Sequence, residues 1–300
     1  MMVAEQPRLR GVMLHDEPMA KHTSWRVGGP ADRYYQPADV ADLCAFLAQL
    51  PADEPLMWLG LGSNLLVRDG GIRGTVIATS GCLNELARVD DTAVRVEAGV
   101  ACAKLARFCA RQGLVGGEFF AGIPGCLGGA LAMNAGAFGG ETWALVEAVE
   151  CVDRHGRLRE RRPEDFKVGY RQVVGPAGEW FVAARLRLSS GDAGEATARI
   201  KALLEQRAAG QPIGLPSCGS VFRNPQGDHA ARLIEASGLK GVCIGGACVS
   251  EKHANFIINT GTATAADIEA LIGRVAQTVE RKHGVALRLE AHICGEALGS

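Results

Sequence analysis

GGEFFAGIPGCLGGALAMNAGAFGG, residues 116–140, decides how the rest of the chain is read. Nine of these twenty-five residues are glycine, and Pro124, Met133, Asn134 and several alanines leave nearly every side chain small or absent. Glycine loses more conformational freedom on folding than any other residue, so it concentrates where φ must be positive or where the main chain approaches something closely. Consecutive exposed N–H groups in such turns form concave anion sites, and a diphosphate is a common guest. A glycine-rich bend between packed elements is the alternative. Phe119, Phe120, Ile123, Leu127, Leu131, Met133 and Phe138 argue for a buried segment, which favours close approach to a cofactor.

Outward from this stretch, 300 residues suggest about two domains, and 47% apolar with 22% charged residues is ordinary for a globular chain. A formal net charge of −1 supplies no basic field for nucleic acid or anionic lipid, so an anionic ligand has to be held by local groups. Neither the first nineteen residues nor any later stretch carries an apolar run of signal or membrane-spanning length. The expectation is a cytoplasmic protein without a membrane partner. Ten cysteines sit in apolar contexts such as Leu43-Cys44-Ala45 and read as buried thiols. With no Cys-x-x-Cys and no His-Glu-x-x-His, no metal site is expected.

Periodicity supplies the elements. Val40, Leu43, Cys44, Leu47 and Leu50 recur at helical spacing, and Leu56 to Leu61 reads as a buried strand running into Gly60-Leu61-Gly62-Ser63-Asn64-Leu65-Leu66. This loop exposes amides, but Leu65 stands where a dinucleotide fingerprint requires its third glycine, so an ordinary tight turn remains open. Val94 to Glu97 predicts a strand and Ala101 to Gln112 a helix. Val146 to Val152 and Leu158 flank a turn at Asp153 to Gly156, and Trp180 to Leu188 alternates as a strand. Ser189 to Asp192 reads as a linker. Beyond it a helix at Asp228 to Ser237, a strand at Asn255 to Ile258, a helix capped by Thr264 and Asp267, and a last strand at Val285 to Glu290 are expected.

Several motifs in order resemble UDP-N-acetylenolpyruvoylglucosamine reductases, from about Thr23 to Gly295. They are Gly60 to Leu66; Gly122-Ile123-Pro124-Gly125 with Gly128-Gly129-Ala130 and Met133 to Ala137; Gly169-Tyr170-Arg171; Gly219 to Phe222 with Asn224-Pro225; and Val249 to Phe256. The resemblance implies a mixed α/β, α+β fold. A two-lobed FAD-binding region of the PCMH type would occupy 1–190, with lobes of about 1–81 and 82–190, followed by a smaller α+β substrate-binding domain at 191–300. It also implies an enzyme of peptidoglycan precursor synthesis that uses noncovalent FAD and NADPH to reduce UDP-N-acetylenolpyruvoylglucosamine to UDP-N-acetylmuramate. The short interval between Arg171 and Ser220 leaves no room for the tyrosine-bearing insertion of one subgroup, so the chain is similar to the shorter one.

By the same resemblance, Gly60, Leu61, Gly62, Ser63, Asn64, Gly122, Ile123, Pro124, Gly125, Gly128, Ala135 and Gly136 would contact FAD, and Tyr170, Arg223 and Asn224 the substrate. Flavin N5 would deliver hydride to the terminal enolpyruvyl carbon, pushing negative charge towards the adjacent carbon and carboxylate. A guanidinium holds a carboxylate through two parallel hydrogen bonds, which suits Arg171. Ser220 would protonate the carbon next to the carboxylate, and Glu290 beside it would be neutral or paired with a cation as charge builds. Without the resemblance these three read as a surface arginine, a turn serine and a solvated glutamate. His292 replaces an arginine common near the flavin, Arg288-Leu289 a common Glu-Pro, and Val173 a common serine. Two rivals are an oxidase of the same superfamily and a non-catalytic nucleotide-sugar binding protein.

Overall fold

The computed structural model describes residues 8–299. The start of the expected first region and Ser300 lie outside them. Strands Val12–Pro18, Pro30–Gln36, Ile72–Ala78 and Leu56–Leu59 form one sheet in that order, the last two parallel. A second, antiparallel sheet runs Leu158–Arg161, Val146–Asp153, Glu179–Arg187, Ala93–Glu97, Leu86–Arg88. The chain divides into two compact units. The first holds the described residues up to Leu14, Arg33–Gly60 and Gly74–Glu205; the second holds His15–Asp32, Leu61–Arg73 and everything from Gln206 onward.

In the first unit the helix Cys102–Arg111 presents Cys102, Leu105, Ala106 and Cys109 to a core with Val94, Val96, Phe120, Leu127, Leu131, Val149 and Leu186. Gly113 follows it at φ 67°, the left-handed geometry that suits glycine after a helix. A smaller core joins Tyr35, Leu43, Phe46, Leu47, Ile77 and Val182, with Tyr35 stacked on Phe46 at 3.7 Å.

Asp42 lies inside that smaller core and is 2% exposed. Its carboxylate accepts from Arg10 N–H at 2.7 Å, the Tyr35 hydroxyl at 2.6 Å and Ala38 N–H at 3.0 Å. Burial pushes the Asp42 carboxyl up, but these hydrogen bonds outweigh it and hold the group below the ordinary carboxylate value. A depressed value means a contribution to stability that is complete above the unfolded value, about 3.9, and lost as pH falls through the folded one. Asp42→Ala strands the Tyr35 hydroxyl and should cost about 3 kcal/mol at pH 7. Urea unfolding of both proteins should show that gap closing below about pH 4; a gap constant to pH 3 would contradict the ionised-carboxylate account.

The second unit is built on the helix Ala265–His283, whose buried residues include Ile268, Leu271, Ile272, Val275 and Val279. Thr264 and Asp267 form the expected capping box, and Gly284 ends the helix at φ 68°. Asp69 accepts from Ala265 and Ala266 N–H at 2.9 Å each, a further cap from a residue far away in sequence. Trp25 belongs to this core: its indole N–H donates to Ile257 O at 2.8 Å, and Asn259 Nδ2 donates to Trp25 O at 2.8 Å.

Two expectations need correcting. Val285 to Glu290 is not a strand; it touches its neighbour through one bridge, Phe222 to Leu289, and the regular strand is His292–Cys294, parallel to Leu65–Val67. Alternation in this segment reflects packing of Val285, Leu287 and Leu289 on the core without a ladder. Cys243 and Cys248 are not thiols but a disulfide, because they face each other across a hairpin turned by Gly245-Gly246. The other eight cysteines are free and buried or half-buried. Among the described residues, no helix is long and apolar enough to cross a membrane.

Candidate functional site

The first unit contains a cleft of about 270 Å³ bordered by Trp58, Gly60, Gly128, Gly129, Ala132 and Trp180. Trp58 lies one residue before the end of the strand Leu56–Leu59 and Trp180 is the second residue of the strand Glu179–Arg187 in the other sheet, and their rings stack at 5.2 Å. The wall opposite is the helix Leu127–Met133, which forms inside the glycine-rich stretch. Sequence propensity hides it because Gly128 and Gly129 disfavour helix by about 1 kcal/mol each.

The two glycines have different reasons. A Cβ on Gly128 would stand 3.0 Å from Ala98 Cβ, and its N–H donates to Ala98 O at 2.8 Å, so the helix rests directly on that backbone. A Cβ on Gly129 would meet nothing within 4 Å. Glycine there keeps the cleft open. Trp58 Nε1 is buried without a hydrogen bond, a donor available to a guest. Glu179 on the rim is held below its ordinary value chiefly by hydrogen bonds from Arg161, at 2.6 and 2.9 Å. Burial, with the charge of Glu179, pushes the Cys151 thiol up to about 12, so it presents no thiolate. Small walls, paired aromatic faces and one free donor fit the adenylate part of a flavin dinucleotide.

Of the other glycines, Gly116 and Gly139 have open space and positive φ, 99° and 83°, whereas Gly122, Gly136 and Gly140 serve close packing. A side chain on Gly122 would enter the Phe138 ring, and one on Gly136 would strike Gly140 O. Ile123 is buried, Pro124 is exposed, and Gly125 O accepts from Cys102 N–H at 2.9 Å. Ala135 O accepts from Thr142 through both N–H and hydroxyl, at 3.0 and 2.7 Å.

Tyr170 and Arg171 form the two-residue turn between strands Lys167–Gly169 and Gln172–Val174, with Gly169 opposite Gln172. Arg171 occupies the left-handed region at φ 54°, a conformation uncommon for a residue with a long side chain. Its guanidinium donates to Gly136 O at 3.0 Å and lies 5.5 Å from the Tyr170 ring centre. Tyr170 is exposed.

In the second unit, Gly62 (φ 59°) packs so closely on His22 that a Cβ would approach His22 O to 2.0 Å. Leu61 is exposed, and Ser63 and Asn64 are half-buried. Asn64 Nδ2 donates to Glu290 O at 2.8 Å, and Asn64 O accepts from His292 N–H at 2.9 Å. Val221 O accepts from Glu290 and Ala291 N–H at 2.8 and 3.3 Å, and Arg223 N–H donates to Arg288 O at 2.8 Å. The segments Ser220–Arg223 and Arg288–Glu290 therefore run side by side, bringing Ser220, Glu290 and Asn64 into one neighbourhood. Asn255, buried, grips the same segment through Phe222 N–H at 3.0 Å and Phe222 O at 2.8 Å. Arg223 Nε is buried without a hydrogen bond, so part of this guanidinium is desolvated and ready for an anion. Asn224 Oδ1 accepts from Ala230 N–H at 3.1 Å, which caps the helix Ala230–Ala236. Among the described residues, no group of three or more His, Cys, Asp or Glu is placed to hold a metal ion.

The FAD binding domain family matches residues 31–161, and the UDP-N-acetylenolpyruvoylglucosamine reductase C-terminal domain family matches 211–294. The UDP-N-acetylenolpyruvoylglucosamine reductase of Alkalilimnicola ehrlichii is 69% identical over 297 residues, 99% of each chain. This chain belongs to the UDP-N-acetylenolpyruvoylglucosamine reductase family. The reductase of Nitrosococcus oceani is 62% identical over 288 residues, 96% of this chain and 97% of that one. The crystal structure of the Thermus caldophilus UDP-N-acetylenolpyruvylglucosamine reductase superposes with a TM-score of 0.79 at 33% identity, covering 95% of this chain and 99% of that one. The expected fold class, an FAD binding domain followed by a reductase C-terminal domain in a mixed α/β chain, is borne out. Within the reductase frame, sequence pattern gave no site role to Trp58, Trp180 and Gly129 at the cleft or to Asn255 beside Ser220. A tryptophan at a strand end reads as core, and a buried asparagine carries no periodic signal.

Proposed function

We propose that this chain catalyses FAD-dependent, NADPH-driven reduction of the enolpyruvyl ether of UDP-N-acetylenolpyruvoylglucosamine, giving UDP-N-acetylmuramate for peptidoglycan synthesis in the cytoplasm. The observation that carries the reading is the pairing of the Ser220 and Glu290 segments, in a chain that matches an FAD binding domain and the reductase C-terminal domain. When bound, FAD supplies a two-electron relay between NADPH and the enolpyruvyl double bond.

Trp58, Gly60, Gly128, Gly129 and Trp180 would hold the adenylate part of the cofactor, with no covalent attachment. Leu61 to Asn64, Gly122 to Gly125, Ala135 and Gly136 remain candidates for the rest. Arg171 would engage the enolpyruvyl carboxylate and stabilise the charge that builds there. Ser220 would give its hydroxyl proton to the carbon next to that carboxylate, and Glu290 beside it would be neutral or paired with a cation so that it does not repel the charge that builds. Arg223, Asn224 and Tyr170 would bind the remainder of the substrate, with the region after about residue 190 as substrate-binding domain. These roles call for no metal ion.

The purified protein should be yellow, bleach on addition of NADPH and recover its colour with the enolpyruvyl substrate under exclusion of oxygen. Recovery with oxygen alone would favour an oxidase, and failure to take up FAD a binding protein. Gly129→Leu fills the cleft from a position where the fold has room. It should yield a folded, nearly colourless protein with FAD affinity lowered about 10²-fold or more, as when a side chain replaces bound ligand volume. Unchanged flavin content by absorbance would place the cofactor elsewhere.

A further inference from the structure

We propose that Asn134 is a positioning residue for Arg171, holding the turn that carries this arginine through its carboxamide. The inference rests on the role assigned to Arg171 above. Asn134 is 2% exposed and ends the helix Leu127–Met133 in the left-handed conformation, φ 44°. Every polar group of its side chain is engaged. Oδ1 accepts from Trp143 N–H at 3.1 Å, and Nδ2 donates to Glu141 Oε2 at 2.9 Å and to Gly169 O at 3.2 Å.

The third bond matters for chemistry because Gly169 is the last strand residue before Tyr170-Arg171. The hairpin has three-residue strands, and its Val168, Tyr170 and Val174 are exposed, so its own ladder is a weak support. Arg171 also sits at a φ that costs free energy and persists only where surroundings enforce it. Two residues after Asn134, Gly136 O accepts from the Arg171 guanidinium. The segment from Asn134 to Gly136 thus grips the turn twice, once by its main chain and once by the arginine head.

Asparagine meets three requirements together. It tolerates the left-handed backbone, it accepts from Trp143, and its amide has two protons for Glu141 and Gly169. Aspartate keeps the shape and the acceptor but has no proton for Gly169 O and sets a second charge against Glu141. Glycine keeps the backbone and removes the grip.

The experiment compares Asn134→Gly, Asn134→Asp, Arg171→Ala and the Asn134→Gly/Arg171→Ala double variant. Flavin content, melting temperature, the KM for the enolpyruvyl substrate and both half-reactions are measured. Loss of the buried hydrogen bond to Gly169 O should raise KM about tenfold in each Asn134 variant. Flavin reduction by NADPH should stay within about twofold, and the double variant should be no worse than Arg171→Ala by more than about twofold, because two residues acting through one group are not additive. Multiplying effects in the double variant, or equal slowing of both half-reactions, would overturn the proposal. So would loss of flavin and fold in both Asn134 variants, which would assign Asn134 to stability alone. If Arg171→Ala leaves KM unchanged, the reading of Arg171 fails; if only the Asn134 variants are silent, that reading stands and this inference does not.

Discussion

Ser220→Ala should leave bleaching of the flavin by NADPH near the parental rate and slow recovery of colour with the enolpyruvyl substrate by about 10²–10⁴-fold, the usual loss for a positioned proton donor. The separation follows from what the hydroxyl does. Reduction by NADPH delivers no proton to a substrate carbon, whereas addition of hydride to the terminal enolpyruvyl carbon would leave a carbanion-like centre next to a carboxylate, which a proton must complete. A serine is a weak acid, yet an enediolate is basic enough to take its proton when the two are held together. The backbone at Ser220 is fixed by others: Gly219 supplies φ 81°, Val221 O binds two N–H groups of the Glu290 segment, and Asn255 grips Phe222. Alanine therefore removes the hydroxyl without moving the chain, and the melting temperature should shift little. Ser220→Cys restores a donor at nearly the same place and should recover part of the rate. Rapid mixing under exclusion of oxygen decides: recovery at the parental rate in Ser220→Ala would leave Ser220 as a turn residue only.

Periodicity in the sequence was enough for the elements that bury one face. The helices Val40–Gln49, Cys102–Arg111 and Ala265–His283 and the long strands Val146–Asp153 and Glu179–Arg187 stand within a few residues of where their apolar spacing put them. Caps were legible where the residue type leaves little choice, as at Thr264, Asp267 and Gly284. Three things were not. The helix at Leu127 was masked by glycines whose reason is the close approach to Ala98 and the open space at Gly129, both matters of tertiary placement. The final strand was put too early because burial of Leu287 and Leu289 imitates strand alternation. Long-range supports such as Asn64 on Glu290 and Asn255 on Phe222 join residues 226 and 33 positions apart, and no local pattern marks them. The proposed Ser220, Glu290 and Arg171 entered through motif order, since each alone is an unremarkable residue at a turn or strand end.

Arg171→Ala should lower kcat/KM for the enolpyruvyl substrate by about 10²-fold or more, the scale on which truncating one partner of a hydrogen-bonded charge pair acts. Most of the loss should appear as a higher KM, with slower reoxidation beside it, because a guanidinium on the carboxylate serves both the bound substrate and the charge that grows during reduction. Reduction by NADPH should be nearly unchanged. Arg171→Lys keeps the charge but not the planar fork, so it should fall between parent and alanine. Stability can be separated from function at this position. Arg171 lies at φ 54°, where glycine is unstrained, so Arg171→Gly should melt no lower than Arg171→Ala while losing substrate affinity to the same degree. An affinity loss that tracked melting temperature across the three variants would point to the hairpin's folding as the cause. An affinity loss independent of it, and absent for a substrate analogue whose carboxylate is esterified, would place the guanidinium on the carboxylate. Parental KM in all three variants would return Arg171 to the class of surface arginines.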